Sequence, residues 1–146
     1  MRRSLIAGLI LFHGMFSGGL AAAQTSDLEV VIEGFRNGQG LVHVVLFNRE
    51  KGFPADPDKG FRQHKDKIVN GRVIHVFEAV PNGRYAVRAL HDEDGNGKMK
   101  TNFLGIPKEG FAVSNNATGS FGPPAFNDAL FEVGGNRVSI SMKMQY

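Results

Sequence analysis

The chain contains no cysteine among its 146 residues. This absence excludes disulfide bonds, thiol catalysis, iron–sulfur clusters and zinc sites with cysteine ligands. The hydrophobic core must therefore hold the fold, and a domain of this size buries roughly 65% of its unfolded surface, which is sufficient. The chain also lacks basic runs and arginine-rich helices, so we expect no nucleic-acid partner.

The first 23 residues have the pattern of a signal peptide. Two arginines near the amino terminus precede a short apolar run, and Ala21 and Ala23 form the A-x-A pattern of a signal-peptidase site. The apolar run is shorter than a membrane span of roughly 20 residues. We therefore expect cleavage before Gln24 and a periplasmic or secreted product that is not an integral membrane protein. Loss of the two arginines lowers the formal net charge from +3 to about +1.

Strand patterns dominate the predicted mature chain, residues 24–146. Short runs rich in Val, Ile and Phe are separated by Gly, Asn and Pro. Residues 40–48 are apolar on both faces, which is typical of a central strand, whereas residues 137–144 alternate between apolar and polar side chains. Apolar faces of this kind pack in two layers, so the pattern predicts one all-β domain, an antiparallel two-sheet β-sandwich.

Two glycine-containing turns predict strand pairs. Asn70-Gly71 lies between two apolar runs and is a type I′ turn signal, typical of a β-hairpin. Gly134-Gly135 separates residues 129–133 from the last alternating run. This second signal predicts a final hairpin in which those two runs pair.

Two connections are much longer than the usual loop of about 4–6 residues. They run from Arg49 to about Gly71 and from Asp92 to about Asn127. The second is too apolar for disorder, so we expect one long structured loop segment that folds onto the sandwich. Its large apolar residues are Phe103, Leu104, Ile106, Phe111, Val113, Phe121 and Phe126.

The stretch from Phe77 to Lys98 resembles transthyretin-like (prealbumin-like) and immunoglobulin-like sandwiches, in which a Pro/Gly turn leads into a strand that begins Gly-x-Tyr. Here Gly83 forms the turn, and Tyr85 is expected to bury its ring and bond its hydroxyl. The wider pattern GRYAVRALHDEDGNGKMKTNFLGIPKEGFAVSNNA, followed by GPPAFNDALFEV, resembles the bacterial exported family catalogued as domain of unknown function 2141. That resemblance covers nearly all of the mature chain and implies a secreted or periplasmic β-sandwich.

Residues 92–97 match the first half of a calcium-binding loop. Oxygen-bearing side chains alternate at Asp92, Asp94 and Asn96, and Gly97 follows at the sixth position. The alternative is a turn in which the Asp and Asn side chains bond their own backbone while the glycines take positive φ. The pattern therefore predicts either a weak calcium site or a self-bonded turn.

The second half of a calcium loop is missing. An EF-hand has a bidentate glutamate at position 12, where this chain has Phe103. The family pattern implies an acid at the position of Lys100, and a cation there opposes a bound metal ion. A distant carboxylate would have to complete the shell, and the candidates are Glu93, Glu109, Asp128, Asp56 and Asp58.

Further residues of the long segment form a candidate binding surface. They are His91, Lys108, Glu109, Asn115 and Asn116. Prolines stiffen the neighbouring chain, and rigid loops with exposed amides suit a peptide, a glycan or a lipid headgroup. The alternative is that these loops only cover the open edge of a sheet.

The histidines of the mature chain are His43, His64, His75 and His91. A zinc site needs three or four ligands at defined distances, and no H-x-H or H-x-x-x-H spacing is present. We interpret these residues as paired or core histidines, with His64 in a loop.

The sequence predicts a non-enzymatic exported binding or accessory module that uses residues 92–127 as its working surface. Its partner would be an unknown protein, glycan or lipid, with Ca²⁺ as a candidate ligand. No serine lies in a G-x-S-x-G context. The alternative is a hydrolase that uses carboxylates and His91 of the same segment, which would require His91 and at least two acids to converge in a concave pocket.

Overall fold

Strands make up most of the regular structure in residues 22–146, the part of the chain that this computed structural model describes. In chain order the elements are β1 (Thr25–Glu33), β2 (Leu41–Phe47), β3 (Arg62–Asp66), β4 (Val73–Pro81), β5 (Gly83–Asp92), β6 (Gly110–Val113), α1 (Phe126–Ala129), β7 (Phe131–Val133) and β8 (Arg137–Lys143). The predicted signal peptide lies outside the described residues except for its last two. Within the described part, no helix has the length and apolar character that a membrane crossing requires.

Three strands form the first sheet, in the order β4-β1-β8. The central strand β1 alternates strictly, so that Leu28, Val30 and Ile32 are fully buried while the residues between them are half-buried. It pairs antiparallel with β4 and parallel with β8. The predicted all-β sandwich is confirmed, and this one parallel pairing is a feature that the alternation of apolar residues does not reveal.

Five strands form the second sheet, in the order β3-β2-β5-β6, with β7 paired to the start of β5. Strand β2 is buried on both faces, as its unbroken apolar run predicts. One face of the sheet packs on the main core, and the other is covered by the long connections. There Phe53 makes edge contacts with Phe47 at 5.3 Å and with Phe126 at 5.4 Å between ring centroids.

The core between the sheets contains the predicted tyrosine. Tyr85 is buried and its hydroxyl donates a 2.8 Å hydrogen bond to the carbonyl of Pro81. Val87 is buried in the same apolar cluster, against which Val138 and Ile140 pack. The expected burial of the Tyr85 ring and the bonding of its hydroxyl are therefore confirmed.

The two predicted turns have different outcomes. Asn70 and Gly71 both adopt positive φ, and Val69 and Arg72 pair across them, so the type I′ turn is confirmed. The strand pair expected beyond this turn is wrong, because Val69 and Arg72 form an isolated bridge and β3 and β4 belong to different sheets. The predicted final hairpin is wrong, because β7 pairs with β5 of one sheet and β8 pairs with β1 of the other. Gly134-Gly135 thus carries the chain from one sheet to the other.

Candidate functional site

The end of β5 begins a tight turn that the Asp92 carboxylate holds together. Asp92 is 1% exposed, and its two oxygens accept hydrogen bonds from the backbone nitrogens of Asn96 at 3.0 Å and Gly97 at 2.8 Å. Gly95 and Gly97 both have a φ of about +75°, the region where glycine carries no steric penalty. The loop therefore has the geometry expected of the self-bonded turn.

The other predicted calcium ligands also bond the backbone. Asp94 accepts a 3.2 Å hydrogen bond from the Asn96 nitrogen, and Asn96 accepts one of 2.7 Å from the Lys98 nitrogen. The Lys100 ammonium lies 3.5 Å from the second oxygen of Asp94. A cation in this loop would have to share these oxygens with backbone donors and face the charge of Lys100.

Glu109, the residue before β6, also bonds to this turn. It is 2% exposed, and its oxygens accept hydrogen bonds from the backbone nitrogens of Glu93 at 3.0 Å and Lys100 at 2.9 Å. Carboxylate oxygens of Asp92, Asp94 and Glu109 lie within 4.8 Å of one another. Of the carboxylates considered for completing a calcium shell, Glu109 is the one that this cluster contains.

His91 lies in the protein interior rather than on a binding surface. Its ring is fully buried, with Nδ1 2.7 Å from the Tyr146 hydroxyl and Nε2 2.7 Å from the carbonyl oxygen of Gln39. Phe35 covers the ring at a centroid distance of 5.3 Å. Both ring nitrogens have protein partners, so His91 has the environment of a core histidine, and its inclusion in the predicted surface is corrected.

Glu93 forms an ion pair with Arg36 beside this histidine. The Glu93 carboxylate accepts hydrogen bonds from Nε and one terminal nitrogen of Arg36. It also accepts one from the Asn37 amide at 2.7 Å. The Arg36 bond is the main reason that the pKa of Glu93 falls to about 2. Arg36 also stacks over Tyr146, 4.5 Å from its ring centroid. The carboxylate is held as a structural anion, not as a proton donor.

The remaining predicted surface residues differ in their roles. The Asn115 amide donates to the carbonyls of Asp128 and Leu130, and the Asn116 side chain accepts a 2.9 Å hydrogen bond from the Lys143 nitrogen. Both side chains therefore tie loops to the sandwich, although both residues are exposed. Lys108 is exposed, whereas the burial of Glu109 removes it from the surface.

Four large apolar residues of segment 92–127 are exposed to solvent. Phe103 is 94% exposed, Leu104 68%, Ile106 54% and Phe121 fully exposed. The expectation that the whole segment folds onto the sandwich is wrong at these positions, although Phe111, Val113 and Phe126 do pack. Total apolar content did not distinguish the two groups, because a short apolar loop and a buried strand contain the same residue types.

The loop that carries three of these residues is held by hydrogen bonds. We call residues 101–107 the apolar loop. Thr101 bridges Pro107 at its base, and the Asn102 nitrogen donates a 2.9 Å hydrogen bond to the Ile106 carbonyl. The Asn102 side-chain oxygen accepts from the nitrogens of Leu104 and Ile106 at 2.9 and 3.0 Å. These backbone and side-chain hydrogen bonds hold the exposed tip of the apolar loop in a fixed conformation.

These features define a small all-β sandwich whose β5–β6 connection projects an apolar loop beside a buried carboxylate turn. The chain belongs to the family described as an uncharacterized protein conserved in bacteria (DUF2141), whose model matches residues 30–141. The match includes strands of both sheets and the whole segment 92–127. No curated protein and no solved structure shows significant similarity to the chain.

Proposed function

We propose that the protein is an exported, non-enzymatic binding module whose working surface is segment 92–127, and that this surface binds anionic lipid. The observation that carries the proposal is the exposure of Phe103, Leu104 and Ile106 on a loop closed by hydrogen bonds. Export rests on the signal-peptide pattern of residues 1–23 and implies a periplasmic or secreted location.

Apolar burial supplies the main driving force for such binding. Full burial of one large apolar side chain is worth about 1.5–3 kcal/mol. Three such side chains on one short loop are enough for weak, reversible attachment to a membrane interface. Because the loop is already ordered, binding costs little additional conformational entropy.

Positive charge at the base of the apolar loop favours an anionic surface over a neutral one. Lys98, Lys100 and Lys108 are exposed next to the loop in the sequence, and two of them have no carboxylate within salt-bridge distance among residues 22–146. A lysine near an anionic membrane contributes about 1 kcal/mol. Apolar residues flanked by lysines combine the two attractions that interfacial binding requires.

Vesicle co-sedimentation tests this proposal. The protein should bind vesicles of anionic phospholipid, bind zwitterionic vesicles less, and lose binding as salt is raised. Phe103→Ser/Leu104→Ser should abolish binding. Ile74→Ser is the matched control, because Ile74 is 52% exposed on β4 of the other sheet and should be dispensable. Failure of the native protein to bind anionic vesicles, or equal binding by both variants, would reject the lipid ligand.

Weak calcium binding by Asp92, Asp94 and Asn96 is a second proposal, and the position of Glu109 favours it. Glu109 adds a third carboxylate to the two of the loop, within 4.8 Å. Calcium takes six to eight oxygen ligands, so water would complete the shell. Lys100 limits the affinity, and we expect a dissociation constant of roughly 10⁻⁴–10⁻³ M.

The surroundings of His91 favour the binding module over the hydrolase alternative. Of the acids in this segment, Glu93 is bound to Arg36, whereas Asp92 and Glu109 accept hydrogen bonds from backbone nitrogens. His91 itself is fully buried with both nitrogens bonded. A general base must reach the proton that it removes, and this imidazole does not reach solvent.

A further inference from the structure

A second cluster of polar side chains lies outside segment 92–127, where the edge strands of the two sheets approach each other. His64 and Asp66 belong to β3, and His75 belongs to β4. His75 Nδ1 is 3.1 Å from one Asp66 oxygen, and His64 Nε2 is 3.6 Å from the other. The two imidazole rings stack with centroids 4.6 Å apart. The expected loop position of His64 is thereby corrected to an edge strand.

The Asn70-Gly71 turn brings these residues together. Asp66 lies four residues before Asn70, and His75 lies four residues after Gly71. The two residues are therefore equally far from the turn, which reverses the chain and brings them close together. His64 and Asp66 are register partners of Val44 and Val42, and His75 of Val30. All three partners are fully buried core residues, so the three polar side chains share the inward faces of the sheets at their open edge.

The state of the Asp66 carboxylate suits metal coordination. Its oxygen nearest to His75 Nδ1 is buried and is assigned no hydrogen-bond donor within residues 22–146. A buried carboxylate oxygen without a donor is costly, and a cation would satisfy it.

We propose that His64, Asp66 and His75 form a binding site for a borderline divalent transition-metal ion of the Zn²⁺ type. Each residue offers one ligand atom, and the three atoms lie within 4.8 Å of one another. Two imidazoles and one carboxylate with an open fourth position are a ligand set that zinc uses. His64 is half-exposed on an edge strand, so its side chain can move to shorten the ligand distances.

Metal binding at this position would join the two sheets. Strand β3 is an edge of the five-stranded sheet and β4 is an edge of the three-stranded sheet. A metal ion shared by the two strands would cross-link the layers in a chain that has no cysteine for a disulfide. The site shares no residue with segment 92–127, so its existence does not depend on the proposed lipid binding.

Calorimetric titration of the tag-free protein with Zn²⁺ tests the site. We expect one ion per chain, a rise in melting temperature, and visible absorption typical of nitrogen-ligated Co²⁺ when Co²⁺ replaces zinc. His64→Ala and His75→Ala should each weaken zinc binding by more than the about 10- to 100-fold that loss of an outer-shell partner costs. Lys65→Ala is the matched control on β3 and should bind zinc as the native protein does.

The half-exposed position of His64 makes its substitution compatible with folding. Three results would overturn the proposal. They are the absence of zinc binding by the native protein, unchanged zinc binding in the His64→Ala/His75→Ala variant, and loss of zinc binding in Asp94→Ala with both histidines intact.

Discussion

The Tyr85 hydroxyl donates a 2.8 Å hydrogen bond to the carbonyl of Pro81, four residues earlier. The bond ties the start of β5 to the end of β4, and therefore one sheet to the other. Burial raises the pKa of this hydroxyl. The ring packs against Phe61 and belongs to the main apolar cluster.

Truncation of this tyrosine should be strongly destabilising. Tyr85→Ala removes a buried aromatic ring, so the free energy of unfolding should fall by about 3–5 kcal/mol. Tyr85→Phe keeps the ring and removes only the hydrogen bond, which is worth about 0.5–1.5 kcal/mol. Urea unfolding of the two variants measures both losses. A loss below about 1 kcal/mol for Tyr85→Ala would show that the ring does not support the corner.

Acid stability should depend on Glu93. The Arg36 hydrogen bond lowers its pKa from the ordinary 4.5 to about 2 in the folded state. A depressed carboxyl pKa stabilises the fold above the unfolded-state value, and this contribution is lost as pH falls from about 4.5 to about 2. Native protein should therefore lose more stability across that window than Glu93→Gln.

Urea midpoints at about pH 7 and about pH 2.5 give the comparison. Glu132→Gln serves as the control, because Glu132 is an exposed residue on β7. The native protein and Glu132→Gln should lose stability equally. If Glu93→Gln loses as much as they do, the Arg36 pair does not shift the titration of Glu93.

The sequence predicted those parts of the fold that depend on local pattern. Strict alternation identified β8, a two-faced apolar run identified β2, and Asn70-Gly71 identified its turn. Partner choice was not predictable in the same way, because β7 has three residues and contains no signal for pairing with β5 rather than β8. Local propensity specifies a strand, whereas tertiary packing selects its neighbour.

In the candidate sites, too, local pattern was predictable and tertiary placement was not. The D-x-D-x-N-G spacing predicted a self-bonded turn or metal loop, and the structure has the hydrogen bonds of that turn. Exposure of Phe103 and burial of His91 were not predictable, because neither depends on neighbours in the sequence. The His64, Asp66 and His75 cluster had one usable signal: an H-x-D pair and a histidine placed on either side of an Asn-Gly turn.

Reversal of the charge at Lys100 should strengthen calcium binding. Its ammonium lies 3.5 Å from an Asp94 oxygen, and a unit charge at about 4 Å is worth roughly 1 kcal/mol even in bulk water. Lys100→Asp removes this opposing charge and adds a carboxylate, so calcium affinity should rise by about tenfold or more. Calorimetry with Ca²⁺ measures the change.

Two comparisons make that titration decisive. Lys51→Asp makes the same charge change in the connection after β2 and should leave calcium affinity unaltered. Asp94→Ala should remove calcium binding. Equal heats in native protein, Lys100→Asp and Asp94→Ala would show that residues 92–97 form a self-bonded turn only.

Arg88 should be replaceable by an apolar side chain with a gain in stability. It is 8% exposed on β5, and its Nε and one terminal nitrogen have no hydrogen-bond partner in residues 22–146. Burial lowers its pKa to about 10. Desolvation of the guanidinium outweighs its attraction to Asp56, so Arg88→Met should raise the free energy of unfolding by about 1 kcal/mol or more in a urea melt. A lower unfolding free energy would show that the guanidinium has a stabilising partner.

The rigidity of the apolar loop should depend on Asn102, whose side-chain oxygen accepts hydrogen bonds from the backbone nitrogens of Leu104 and Ile106. Asn102→Ala leaves Phe103 and Leu104 in place but removes these two bonds. Amide exchange should therefore accelerate at residues 103–106, while the urea midpoint hardly changes.

Vesicle binding by the Asn102→Ala variant should also weaken. Ordering the apolar loop again on a membrane costs free energy, so affinity for anionic vesicles should fall by roughly three- to tenfold. Asn127→Ala, an exposed asparagine in α1, should alter neither measurement. Faster exchange with full vesicle affinity would mean that lipid binding needs the apolar side chains but not their fixed arrangement.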